Sequence, residues 1–127
     1  MKGEITILNM TKSTLPRVPF ALIKDSILGK NYNLSLVFIG NKKSKELNNS
    51  YRQKNNSTNV LSFPLDKENG EIFITPAVAK KEAPKFGKNY TDFVGFLFIH
   101  GLLHLKGMEH GSTMETAEVK FQKRFNI

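Results

Sequence analysis

His100, His104 and His110 fall within eleven residues, in the run His100-Gly101-Leu102-Leu103-His104-Leu105-Lys106-Gly107-Met108-Glu109-His110, and they are the only three histidines in the chain. That spacing admits few backbones. On an α-helix, residues four apart share a face with Cβ atoms about 5 to 6 Å apart, so His100 and His104 can lean onto one ion. A continuous helix would carry His110 about 9 Å further along the axis and off that face, at roughly 1.5 Å per residue. The helix therefore has to stop between the second and third histidines. Gly107 supplies the stop, because glycine takes the left-handed C′ conformation without a Cβ penalty. The preceding run, residues 93–105, is apolar apart from its two histidines and shorter than the roughly 18 residues a membrane span needs. It predicts a buried core helix that ends on a metal-binding turn.

The chain has no cysteine, so a metal here rests on imidazole and oxygen ligands. Tetrahedral zinc, with Zn–N of about 2.0 to 2.1 Å, needs ligand nitrogens roughly 3.3 Å apart, and three imidazoles leave a fourth position for water or substrate, as in catalytic sites. One zinc ion per chain is expected, although imidazole also suits other divalent metals. The same spacing, with glycine at i+7, occurs in metzincin peptidases, whose general-base glutamate directly follows the first histidine. Here that position is Gly101, which has no side chain to take a proton and is expected to leave room beside the ion. A three-histidine cation can still act as a Lewis acid and lower the pKa of water to about 7. Phosphodiester hydrolysis fits, since it needs charge stabilisation and can recruit an arginine fork for the non-bridging oxygens.

A chain of 127 residues suffices for one domain, residues 1–127, with its own core. Nineteen Lys and Arg against eleven Asp and Glu give a formal net charge of +8, which suits a polyanion such as nucleic acid. Sixteen of the nineteen are lysines, in a chain rich in Asn, Ile and Phe, so AT-biased coding accounts for the excess as readily as a partner does. Attention falls on the three arginines, Arg17, Arg52 and Arg124. The opening Met1-Lys2-Gly3-Glu4 leads straight into alternating sequence without the apolar region and cleavage site of a secretory signal. A cytoplasmic protein without membrane association is expected.

Alternation over residues 4–8 predicts a first strand. Pro19 opens a helix with Phe20, Ile23 and Ile27 on one face, closed by Gly29. Residues 33–39 read as a second strand, and a short helix from Ser44 to about Arg52 carries Leu47 and Tyr51 as its apolar stripe. Residues 60–63, bounded by Pro64, predict an edge strand, and residues 70–75 a further strand. Thr75 and Pro76 predict the cap and first residue of a helix carrying Val78 and limited by Pro84. Thr91 is the expected cap of the histidine-bearing helix. Residues 114–125 place Met114, Ala117, Phe121 and Phe125 on one stripe, with Glu115 and Glu118 early and Lys123 and Arg124 late to suit the helix dipole. Helices and strands mix without βαβ repetition, which predicts an α+β class with one mixed sheet of about four strands against helices, one of them a zincin-like metal helix.

Residues 100–110 resemble the H-G-x-L-H-L-x-G-[YF]-D-H signature of the YbeY endoribonucleases, bacterial factors in ribosomal RNA maturation. Residues 47–64, Leu47-Asn48-Asn49-Ser50-Tyr51-Arg52-Gln53-Lys54-Asn55-Asn56-Ser57-Thr58-Asn59-Val60-Leu61-Ser62-Phe63-Pro64, are similar to that family's L-N-x-x-Y-R-x-K-x-x-P-T-D-V-L-S-F-P segment, and Gly70-Glu71-Ile72 stands where G-D-I is usual. The resemblance implies a metal-dependent, single-strand-directed endoribonuclease that acts on rRNA precursors, with ribosomal subunits or ribosome-associated proteins as partners. It makes His100, His104 and His110 the zinc ligands and Arg52 the catalytic basic residue that engages RNA phosphate near the metal. The chain departs from the signatures at Met108, Glu109, Ser57, Asn59 and Glu71, none of which removes a ligand histidine.

Thr58, Asn59 and Ser62 are candidates to line a substrate strand beside the metal, and Lys54 and Lys106 to contact phosphate. Glu109 is a candidate for a hydrogen bond to a ligand histidine or for a proton shuttle. Two other readings remain at this point. One is a non-catalytic RNA-binding ribosome-assembly factor in which the metal braces the helix end. The other is a metallopeptidase whose displaced base is Glu109.

Overall fold

The computed structural model describes residues 3–127. Along the chain run β1 (Ile5–Asn9), α1 (Phe20–Leu28), β2 (Asn33–Phe38), α2 (Asn41–Arg52), β3 (Val60–Pro64), β4 (Asn69–Ile74), α3 (Pro76–Glu82), α4 (Tyr90–Leu105) and α5 (Ser112–Phe125), with a 3-10 turn at Ala83–Phe86. One four-stranded sheet has the order β1-β2-β4-β3. β1, β2 and β4 are parallel neighbours, and β3 pairs antiparallel with β4 at the edge. The α+β class and the mixed four-strand sheet are as the sequence predicts, and the strand ending in Pro64 is indeed an edge strand.

Leu36 pairs with Ile72 and Phe38 with Ile74, and because side chains alternate along a strand these pairs share one sheet face. All four are fully enclosed. They are covered by α4, which buries Phe93, Val94, Leu97, Phe98, Ile99, Leu102 and Leu103, the behaviour of a helix apolar around most of its circumference. Phe20, Ile23 and Ile27 of α1 and Met114 and Phe121 of α5 complete the core. The Phe20 ring meets that of Phe98 edge-on at 4.9 Å between centroids. Each such enclosed side chain stabilises the fold by about 1.5–3 kcal/mol.

α4 lies hard against β3 at Gly101. A Cβ there would stand 2.9 Å from Ser62 Oγ and 3.1 Å from Ile72 Cδ1, and the Ser62 hydroxyl donates to the Gly101 carbonyl at 3.1 Å. The space expected beside the ion at Gly101 is thus filled by strand, and the glycine serves close packing.

Two further expectations are corrected. α2 begins at Asn41 and turns Ser44 and Asn48 inward, while Leu47 is half-buried and Tyr51 is 67% exposed. Hydrogen bonding decides this. Ser44 Oγ donates to the Thr58 carbonyl and accepts from the Thr58 amide, at 3.1 and 2.9 Å, and Asn48 Nδ2 donates to the Asn56 carbonyl at 2.9 Å. The polar face of α2 therefore holds the loop that leads into β3. At α4, Asn89 is the cap in place of Thr91, its Oδ1 accepting from the Asp92 amide at 2.8 Å. Gly29, at φ 91°, ends α1, and Pro76 opens α3 after Thr75, whose hydroxyl makes no capping bond.

Candidate metal centre and cleft

His100 and His104 stand one turn apart on α4, and their Nε2 atoms approach to 3.1 Å. Beyond them, Gly107 takes φ 102°. Its amide donates to the His104 carbonyl at 2.9 Å and the Met108 amide to the Leu103 carbonyl at 3.0 Å, the paired bonds of a Schellman turn. The chain doubles back as the spacing requires, so the His110 ring lies 5.2 Å from that of His100 and 4.8 Å from that of His104. One candidate ligand atom from each histidine lies within 4.8 Å of the others.

The outer nitrogens fix the tautomers. His104 Nδ1 is 3.0 Å from the Met108 carbonyl oxygen, which can only accept, so this nitrogen carries the proton. His100 Nδ1 is 3.0 Å from a carboxylate oxygen of Glu118, a residue 8% exposed on α5, and it too donates. With Nδ1 as the donor in each ring, the two Nε2 atoms face each other across 3.1 Å. That arrangement is repulsive unless a proton or a metal cation lies between them. Burial, reinforced by His100 and His110, holds His104 below the ordinary imidazole pKa of 6.5, which keeps its Nε2 lone pair available to a cation. The donor set fits a divalent cation bound by imidazole, with the outer nitrogens anchored as metal-binding histidines require.

Glu118 was read in the sequence as a helix-dipole residue, and its part at the site was missed. Glu109, expected in that part, is exposed, and its side chain makes no hydrogen bond among the described residues. The outer nitrogens of His100 and His104 are taken instead by α5 and by the turn itself.

The three histidines line a cleft of about 620 Å³ together with Tyr51, Arg52, Thr58, Asn59 and residues 60–63. Gln53 takes a left-handed φ of 55° and ends α2 just after Arg52, leaving that guanidinium exposed in the cleft wall. β3 forms the facing wall. Its residues Asn59, Leu61 and Phe63 direct their backbone groups to β4, since the Thr75 amide donates to the Asn59 carbonyl and pairing continues in that register. Val60 and Ser62 therefore turn their N–H groups outward at the unpaired edge, on the cleft side.

Asn59 donates through Nδ2 to Glu82 Oε1 at 2.7 Å, a contact an aspartate could not make without like-charge repulsion. Ser62 lines the cleft while bonded to Gly101. Lys54 is exposed and lies outside the cleft lining. Lys106, read as a phosphate contact, instead donates to the Ile27 carbonyl at 3.1 Å and caps the end of α1. No helix among the described residues is long and apolar enough to cross a membrane.

Comparison with known proteins bears on this cleft. The family model described as endoribonuclease YbeY matches residues 4–126. Proteins of that name include one from Francisella philomiragia, 33% identical over 112 residues that span 80% of this chain and 71% of the relative. One from Nautilia profundicola is 37% identical over 75% of this chain and 73% of its own length. One from Bdellovibrio bacteriovorus is 32% identical over 98% of this chain and 89% of its own. The solution structure of a Thermotoga maritima protein superposes with a TM-score of 0.67 at 24% identity, covering 93% of this chain and 86% of that one, and shares its fold.

Proposed function

The chain belongs to the YbeY endoribonuclease family, and from this premise we propose that residues 1–127 act as one metal-dependent endoribonuclease domain that cuts single-stranded RNA. Its substrates on this reading are rRNA precursors, met in the cytoplasm at or near ribosomal subunits, in rRNA maturation and ribosome quality control. The carrying observation is the convergence of three imidazoles, two of them with Nε2 atoms 3.1 Å apart, in one cleft with an exposed arginine.

His100, His104 and His110 hold the ion, zinc or another divalent metal. When bound, it supplies Lewis-acid charge beside the scissile phosphodiester and lowers the pKa of water toward about 7. Glu118 and the Met108 carbonyl keep the two helical imidazoles in the Nδ1–H tautomer, so that Nε2 is free to ligate. Arg52 offers a planar fork of donors to the non-bridging phosphate oxygens. The outward amides of Val60 and Ser62 can orient the strand as it passes the edge of β3, where Asn59 also faces it. Glu109 lies outside the cleft lining, which leaves a peptidase mechanism without its proposed base.

Cleavage of a single-stranded rRNA fragment by the purified chain tests the reading. Loss of cleavage on chelation, on His104→Ala and on Arg52→Ala is expected, with restoration by added metal in the wild type alone. Equal cleavage in all three preparations would overturn it, and tight RNA binding without turnover would favour the assembly-factor reading.

A further inference from the structure

Tyr51 and Phe63 form part of the cleft wall and also one side of a second cavity, of about 340 Å³, completed by Leu47, Leu65, Phe73 and Glu71. Its aromatic rings adjoin in series, with centroids 4.8 Å apart for Tyr51 and Phe63 and 5.7 Å for Phe63 and Phe73. The outer end of the series is open, Tyr51 being 67% and Leu65 62% exposed. Phe63 and Glu71 are opposed in the β3–β4 pairing and so share the sheet face turned away from α4. Ser44 and Asn48 occupy the inward positions of α2, so the Tyr51 ring contributes little to the core.

Resting on the endoribonuclease reading, we infer that this groove holds an unstacked nucleobase of the RNA strand whose phosphate lies at Arg52. Tyr51 and Arg52 are consecutive at the last turn of α2, so one nucleotide meets an aromatic ring with its base and a guanidinium with its phosphate. Charge divides the two cavities in the same sense. The Arg52 cleft attracts phosphate, while Glu71 in the groove repels it and accepts from the N–H edge of a base. Stacking on aromatic rings tolerates any base. A base inside a duplex is paired and stacked on its neighbours and cannot enter, so the groove selects single-stranded segments.

The test uses single-stranded RNA carrying 2-aminopurine at successive positions, mixed with the full chain and read before cleavage accumulates. At one position next to the cut bond, binding to the wild type and to Tyr51→Phe quenches the fluorescence. Tyr51→Leu leaves it near the free value and weakens binding by about 5- to 100-fold. Because Tyr51 is largely exposed, the variants fold, which circular dichroism checks. RNA abasic at that position binds the wild type and Tyr51→Leu alike. Unchanged quenching and affinity in Tyr51→Leu, or abasic RNA bound as tightly as its parent, overturns the inference, and that is also the result if the groove serves a protein segment. If cleavage proceeds without any dependence on Tyr51, the groove inference fails and the ribonuclease reading stands. If the wild type neither binds nor cuts single-stranded RNA, both fall.

Discussion

Substituting Gly101 by alanine probes the contact that holds the metal helix against the cleft wall. In a helix interior, alanine is favoured over glycine by about 1 kcal/mol. The added methyl would stand 2.9 Å from Ser62 Oγ, itself tied to the Gly101 carbonyl, and 3.1 Å from the terminal methyl of Ile72. Overpacking of this kind costs about 1–3 kcal/mol, so Gly101→Ala is expected to destabilise by about 0–2 kcal/mol net. Ser62→Ala removes the nearest obstacle at the loss of one hydrogen bond, about 1 kcal/mol. In that background Ile72 Cδ1 can swing aside, and Gly101→Ala should be neutral or stabilising by up to about 1 kcal/mol. The four proteins form a double-mutant cycle whose coupling energy is the overpacking relieved, about 1–3 kcal/mol, measured by urea unfolding. Additivity within about 0.3 kcal/mol would show that Ser62 is not what the new methyl meets, and would refute the close approach of α4 to β3.

Two further outcomes concern the metal. Glu118→Gln should lower metal affinity by about 10- to 100-fold, as read by competition with a chromophoric chelator, while Glu109→Gln leaves it unchanged; the reverse order would return Glu109 to the role first read for it. Acidification should release the ion progressively below about pH 6.5, since protons then compete for imidazole, and elemental analysis showing full retention at pH 4 would contradict imidazole ligation. In the metal-free chain the lowered pKa of His104, caused first by burial, means that the unfolded state binds its proton first. Stability is then greatest above about pH 6.5 and falls as the pH drops toward the folded-state value.

What the sequence revealed and what it concealed differ in kind. The turn at Gly107 was legible because two helical histidines and a third, six residues on, leave the backbone little choice. The core helices and the sheet followed from apolar periodicity. Glu118 was hidden because a glutamate early in α5 already had a sufficient local reason to be there, and only packing of α5 on α4 brings it to His100. Ser44 and Asn48 were hidden because their inward direction is set by hydrogen bonds to the backbone of a loop, a pattern with no period. Once Tyr51 was read as part of an apolar stripe, its exposure could not be seen. Gly101 was rightly singled out, but as empty space, because the strand that fills it lies some forty positions upstream.

The anchor of His100 arrives on α5, eighteen residues downstream. Until that helix docks, the proton position of His100 is unset, whereas His104 is already oriented by the Met108 carbonyl of its own turn. The cluster thus draws on two scales of structure: a local turn sets one ring, and tertiary docking of α5 sets its neighbour.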